Sequence, residues 1–235
     1  MLNLKIASRL GIANKYDKQL KWLTILIKKA KIRFRNEPKV FVIGFNKTGT
    51  TTLFYALEEL GYFMSNQHDF ERLYNRYAKG ELTVEDILKK CSEYEVFQDI
   101  PFSLPAFYKH VDKKYPKCKF VLTVRSDSNI WYKSFENYYG GQEKIKNDPY
   151  LERGFLYNTF KTMFQSDDFN KEICMNVYKK HIEDVKKYFA GNNKRLLVLD
   201  VSEKDSYEKL CLFLGKMPQR ESFEWKNKTN VKITE

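Results

Sequence analysis

Lys39-Val40-Phe41-Val42-Ile43-Gly44-Phe45-Asn46-Lys47-Thr48-Gly49-Thr50-Thr51-Thr52-Leu53 is the stretch that decides the fold. Its first part is a short, continuous apolar run, rich in β-branched and aromatic residues and closed by glycine. Such a run reads as a strand buried on both faces, the kind found inside parallel sheets. Beyond the threonines, Leu53, Leu57 and Leu60 recur at helical spacing and Gly61 supplies a stop. The unit is therefore strand, glycine-bounded loop, helix. Gly44 and Gly49 let the backbone between them curl tightly. Successive N–H groups then turn inward and the helix N-terminus adds partial positive charge, which makes a phosphate cradle. An ATP-type P-loop sets its lysine directly after the second glycine. Here Thr50 holds that place and Lys47 precedes Gly49. A lysine inside the loop reaches a bridging or leaving-group oxygen rather than the outer phosphates of a triphosphate.

The same alternation continues along the chain. Thr83 with Asp86 marks a helix start. A short strand over 95–98 ends in Asp99-Ile100-Pro101, and a buried strand over 119–124 ends at Arg125. A helix is predicted over 128–139, a long one over 170–189, a strand over 195–199 and a helix over 205–214 with Gly215 as its stop. Residues 140–168 are the least regular part and read as a lid or substrate loop. Strands alternating with helices imply a three-layer α/β/α fold around a central parallel sheet of about five strands. Ligands of such sheets bind outside the carboxyl ends of the strands. Asn46 to Thr51, Asp99 and Arg125 each stand just past a strand, so they share one rim.

Composition narrows the class further. Apolar residues make up 43% and aromatics 16% of the 235 residues, too much for a disordered chain. Only 10 Gly and 6 Pro exclude collagen-like and low-complexity readings. No apolar run approaches the roughly 20 residues of a membrane span, and no secretory leader is legible. The net charge is +12, of which +8 falls within residues 1–37. The rest is only mildly basic, which argues against a nucleic-acid partner. Residues 1–37 form a basic amphipathic segment, set apart from an α/β domain over 38–235 by Asn36-Glu37-Pro38. Such a helix could lie on an anionic membrane surface, but a helix packed on the domain with a solvated lysine face is the preferred reading. Cys91, Cys118, Cys174 and Cys211 lie far apart, as do His68, His110 and His181. Neither a zinc site nor a disulfide framework fits that spacing, and reduced thiols in the cytoplasm are the expectation.

With its lysine ahead of the glycine, the loop resembles that of the sulfotransferases that use 3′-phosphoadenosine 5′-phosphosulfate (PAPS). Their 5′-phosphosulfate loop, [KR]-[ST]-G-T-[ST] after a buried strand, is matched by Lys47-Thr48-Gly49-Thr50-Thr51. Their second signature is a buried strand ending in Arg, then a helix whose Ser joins that Arg on the 3′-phosphate. It is similar to Phe120-Val121-Leu122-Thr123-Val124-Arg125 followed by Trp131-Tyr132-Lys133-Ser134. The family usually spaces the two by eight; here Lys133 takes that place and Ser134 follows it. The resemblance implies that Asn46, Lys47, Thr48, Gly49, Thr50, Thr51, Thr52, Arg125 and Ser134 bind the donor, PAPS, with no metal. It also implies that Lys47 is catalytic. Where cytosolic members carry a His-hydrophobic-Pro tripeptide, this chain has Asp99-Ile100-Pro101, which makes Asp99 the candidate base, as glutamate is in glycan sulfotransferases. The implied acceptor is a hydroxyl or amine compound, with a carbohydrate or glycan preferred.

Two other readings remain open on the residues alone. Asp99 suits a helix cap for the segment starting at Pro101. Leu196-Leu197-Val198-Leu199-Asp200 looks like an apolar strand ending in a metal-binding acid, as in an ATP-dependent phosphotransferase. A strand-end acid that caps the following turn reads equally well there.

Overall fold

Four short strands, two of them fully buried and the other two partly so, set the frame. The computed structural model describes residues 37–192 and 194–224, together with positions 26, 27, 30, 32, 34 and 35. In chain order the elements are β1 (Val40–Val42), α1 (Thr50–Glu59), α2 (Gln67–Ala78), α3 (Val84–Lys90), β2 (Val96–Phe97), α4 (Phe107–Lys114) and β3 (Lys119–Thr123). There follow α5 (Ser128–Tyr139), α6 (Gln142–Asn147), α7 (Phe155–Phe164), α8 (Lys171–Tyr188), β4 (Leu196–Leu199) and α9 (Ser206–Leu214). The described positions between 26 and 35 are helical, and the rest of the basic segment lies outside the described residues.

The strands pair in parallel in the order β2-β1-β3-β4. Phe41 stands between Phe97 on one side and Phe120 on the other, and Thr123 is level with Leu199. Because side chains alternate along a strand, the sheet feeds two cores. Val40, Val42, Val96 and Val121 meet Leu53, Leu57 and Leu210 from α1 and α9. Phe41, Ile43, Phe97 and Phe120 face the larger, aromatic core built by the other helices, with Phe70, Trp131, Phe160 and Tyr178 among its members. This is the expected three-layer architecture. The strand count falls short of five because the chain after α1 touches the sheet edge at one parallel bridge, Met64 to Val96. It then turns at Asn66, whose side chain accepts from the His68 N–H and starts α2.

Residues 140–168 are more regular than expected, since they carry α6 and α7. α7 buries Phe155, Thr159, Phe160, Met163 and Phe164, a helical stripe facing the aromatic core. Its N-cap is Gly154 at φ 87°, without a capping side chain, so the usual sequence signal for a start is missing. Elsewhere the sequence signals hold: Thr83 and Asp86 close a capping box, and Asn170 caps α8. No helix among the described residues is long and apolar enough to cross a membrane.

Candidate active site

The loop between β1 and α1 is shaped from below by the sheet. A Cβ on Gly44 would lie 2.1 Å from the Thr123 Oγ1 atom of β3, so only glycine lets the chain pass. Thr48 is fully buried; its hydroxyl donates to the Phe45 carbonyl (2.6 Å) and meets Thr123 Oγ1 (2.6 Å). It braces the loop, and its side chain does not line the cavity above. Lys47 at φ 73° and Gly49 at φ 96° are both left-handed, the alternation that turns successive N–H groups to one side. Gly49 is the N-cap of α1 and offers no capping side chain, so the first-turn N–H groups of the helix remain for a ligand.

Above this loop lies a cavity of about 580 Å³ at the carboxyl ends of the strands. It brings together Asn46, Lys47, Gly49, Thr50, Thr51, Thr52, Asp99, Arg125 and Ser134. Three of its buried side-chain oxygens lack a hydrogen-bond partner among the described residues: Asn46 Oδ1, Asp99 Oδ1 and Thr159 Oγ1. Buried polar atoms are rarely left so without a ligand or water to meet them.

Two cations overlook the loop. The Lys47 Nζ atom stands 3.8 Å over the Tyr138 ring. Burial, then the nearby Arg125 charge, hold its pKa below the usual lysine value, while Asp99 opposes them. Arg125 leaves β3 with its backbone N–H donating to the Tyr178 hydroxyl (2.8 Å) and its Nε–H to the Lys47 carbonyl (3.3 Å). Among the described residues no carboxylate claims its guanidinium, so the outer nitrogens are left for a ligand. Tyr178 stacks on Trp131 at 4.3 Å, and the Trp131 indole N–H donates to the Asn46 carbonyl (3.0 Å). α5 and α8 thus clamp the loop through a side chain that the sequence reading passed over except as part of a motif. Ser134 follows Trp131 by about one helical turn and lines the cavity, whereas Lys133 is exposed to solvent.

Asp99 follows β2 in the left-handed region, at φ 57°, and is 4% exposed. Its Oδ2 accepts from the Gln98 amide (3.1 Å). The Ser103 N–H bonds the Asp99 backbone carbonyl, so the carboxylate does not cap the segment after Pro101. Burial pushes its pKa up to about 7, assisted by the charge of Glu71, while hydrogen bonding by Gln98 and Thr50 and the charge of Lys47 pull it back. Asp200 behaves differently. Its two oxygens accept from the Ser126 N–H (2.8 Å), the Ser202 N–H (3.0 Å) and the Ser202 hydroxyl (2.6 Å), which is the turn-capping role. His181 is also structural. It is buried beneath the loop, stacked on Phe45, with Nε2 at 2.8 Å from the Ile43 carbonyl, and burial lowers its pKa to about 4.

The wall facing the loop comes from α2, residues 148–150 and α7. It presents Gln67, His68, Glu71, Tyr150, Phe155 and Thr159. None of these was singled out by motif. The available signal was Glu71 itself, a carboxylate set among the buried residues Phe70 and Tyr74 of α2.

A glycine-bounded loop on a parallel sheet thus brings a lysine, an arginine and a buried carboxylate around one cavity. The chain matches a sulfotransferase domain over residues 39–231 and belongs to that family. Sulfuryl transfer is the general chemistry of the fold it shares. A comparison with curated proteins finds no significant match.

Proposed function

We propose that the protein transfers a sulfuryl group from PAPS to a hydroxyl group of a carbohydrate. The observation that carries this reading is the meeting of Lys47, Arg125 and Asp99 at one cavity. When bound, the donor supplies the sulfuryl group and departs as adenosine 3′,5′-bisphosphate. Lys47 and the N–H groups of Thr48 to Thr51 place positive charge where the leaving phosphate oxygen gains negative charge. Such fixed charges, held in place before the reaction, need not reorganise as the leaving group departs. The Arg125 fork suits bidentate contact with a 3′-phosphate, and Ser134 on the same side of α5 adds a hydroxyl. The orphaned oxygen of Asn46 beside the loop fits a polar nucleotide. Asp99 takes the acceptor's proton on Oδ1, the oxygen its neighbours leave free.

The carbohydrate reading is supported by the facing wall, where hydrogen-bonding side chains alternate with the rings of Tyr150, Phe155 and Phe160. The four cysteines are free and buried, which suits a reducing, cytoplasmic setting. A thermal-shift comparison tests the donor. Adenosine 3′,5′-bisphosphate at a hundred times its Kd should stabilise by about 2.7 kcal/mol, and ATP with magnesium should do far less. The opposite order would overturn the proposal.

A further inference from the structure

We propose that the acceptor carries a protonated amine besides the hydroxyl it presents, and that Glu71 on α2 is the countercharge that receives it. The inference rests on the sulfotransferase reading above and concerns the wall of the cavity away from the nucleotide loop. Glu71 is 4% exposed and lines the cavity. Its Oε1 accepts from the Gln67 amide (2.8 Å) and its Oε2 from the Tyr150 hydroxyl. Among the described residues no lysine or arginine pairs with it. Its one basic neighbour among the described residues is His68, with Nδ1 3.6 Å from Oε2, beyond hydrogen-bond reach. Tyr150 has a single proton, given to Glu71, so His68 Nδ1 donates to the Tyr150 oxygen (2.7 Å), a contact that needs no charge on the ring.

The charges of the cavity are divided accordingly. Lys47 and Arg125 sit together at the loop, Arg125 bonded to the Lys47 carbonyl. Lys144 packs against Gly140, where its Nζ atom is 3.2 Å from a Cβ built there, at the carboxyl end of α5. Glu71 and Asp99 interact with each other, and Asp148 lines the same cavity. A buried carboxylate is costly unless a cation or several donors meet it. Glu71 has two donors and spare lone pairs, so an ammonium group entering with the acceptor completes its shell. A second observation points to a ligand at this wall. The Thr159 hydroxyl, on a residue 2% exposed, lines the cavity and has no partner among the described residues. It suits a hydroxyl of the same acceptor, next to the rings of Phe155 and Phe160. An acceptor that is already anionic would meet Glu71, Asp99 and Asp148 with like charge.

The test compares glucose with its 2-amino, 3-amino and 6-amino derivatives, which exchange one hydroxyl for an ammonium and move it around the ring. Binding is measured by calorimetry with adenosine 3′,5′-bisphosphate saturating, and sulfate transfer is measured in parallel. At least one amino sugar should bind about tenfold or more tightly than glucose, as expected of a charge-assisted hydrogen bond. Glu71→Gln should remove that preference while leaving the bisphosphate-induced thermal shift in place. A wild-type preference below about threefold for every amino sugar, or a preference that survives Glu71→Gln, overturns the inference. If Glu71→Gln loses the bisphosphate shift through misfolding, the wild-type comparison decides alone. Bisphosphate binding without amine preference sinks only this inference; absence of bisphosphate binding sinks the donor reading and this inference with it.

Discussion

Asp99 and Asp200 stand in equivalent places, each just beyond a parallel strand on the same rim, and the protein treats them in opposite ways. Asp200 is met by three donors from Ser126 and Ser202. Asp99 is met by two side chains, the Gln98 amide and the Thr50 hydroxyl, with no backbone N–H, and its pKa is raised to about 7. Both are buried, so exposure does not separate them. What separates them is how many donors the neighbouring chain supplies. A carboxylate surrounded by N–H groups holds a turn together, whereas one that is under-supplied in a cavity is free to exchange a proton.

The comparison breaks most sharply at Asp99→Asn. Asparagine tolerates the left-handed backbone there, so the fold should persist. Turnover should fall by about 10²–10⁴ if Asp99 is the base, with bisphosphate binding retained. The wild-type rate should climb with pH around an apparent pKa of about 7 as the carboxyl ionises, and the variant should lose that limb. Unchanged kinetics would remove Asp99 from the reaction. Stability should move the other way. The folded pKa lies above the unfolded one, so the native state holds the extra proton between about pH 4 and 7 and loses stability as pH rises through that window. Asp99→Asn should therefore raise the unfolding free energy at neutral pH, by as much as about 4 kcal/mol, in a denaturant titration.

Next in size, Lys47→Ala should lower turnover by about a hundredfold or more, comparable to losing an oxyanion donor; near-normal sulfation would remove Lys47 from the mechanism. Asp200→Ala should cost about 2 kcal/mol of stability by stranding two N–H groups, while the folded fraction keeps its activity. Loss of activity in well-folded Asp200→Ala would erase the distinction between the two acids. The smallest effect is expected at Arg125→Ala. It should weaken adenosine 3′,5′-bisphosphate at least about tenfold and adenosine 5′-phosphate much less, as read by calorimetry. Equal losses would contradict the assignment of the 3′-phosphate.

Much of this was legible in the sequence because the signals are local. An unbroken apolar run, two glycines and a leucine periodicity report β1, the loop and α1 without reference to anything distant. The rim followed from the same reading, since Asp99 and Arg125 end their own strands. What was not legible depends on long-range contact. The cap of α7 is a bare glycine, so its start sends no signal, and Tyr150 meets Glu71 across 79 residues of chain. The role of Asp200 was half legible: a turn cap by an acid at a strand end is a local signal, borne by Ser202 two residues on, whereas the Ser126 N–H reaches Asp200 across 74 residues of chain. Ser134 lies between these cases. Its residue type was readable, but only the helix, by setting it over the cavity and Lys133 in solvent, decides between adjacent positions.

The absent side chain at Gly44 reaches further than its own turn. Thr123 fills the space a Cβ would need and joins Thr48 through a hydroxyl contact, so two neighbouring strands jointly cast the floor of the loop. The loop is therefore not a portable cassette. Residues 44–52 transplanted onto another parallel sheet would keep their shape only if the adjacent strand arrived in the same register with a small hydroxylated residue opposite.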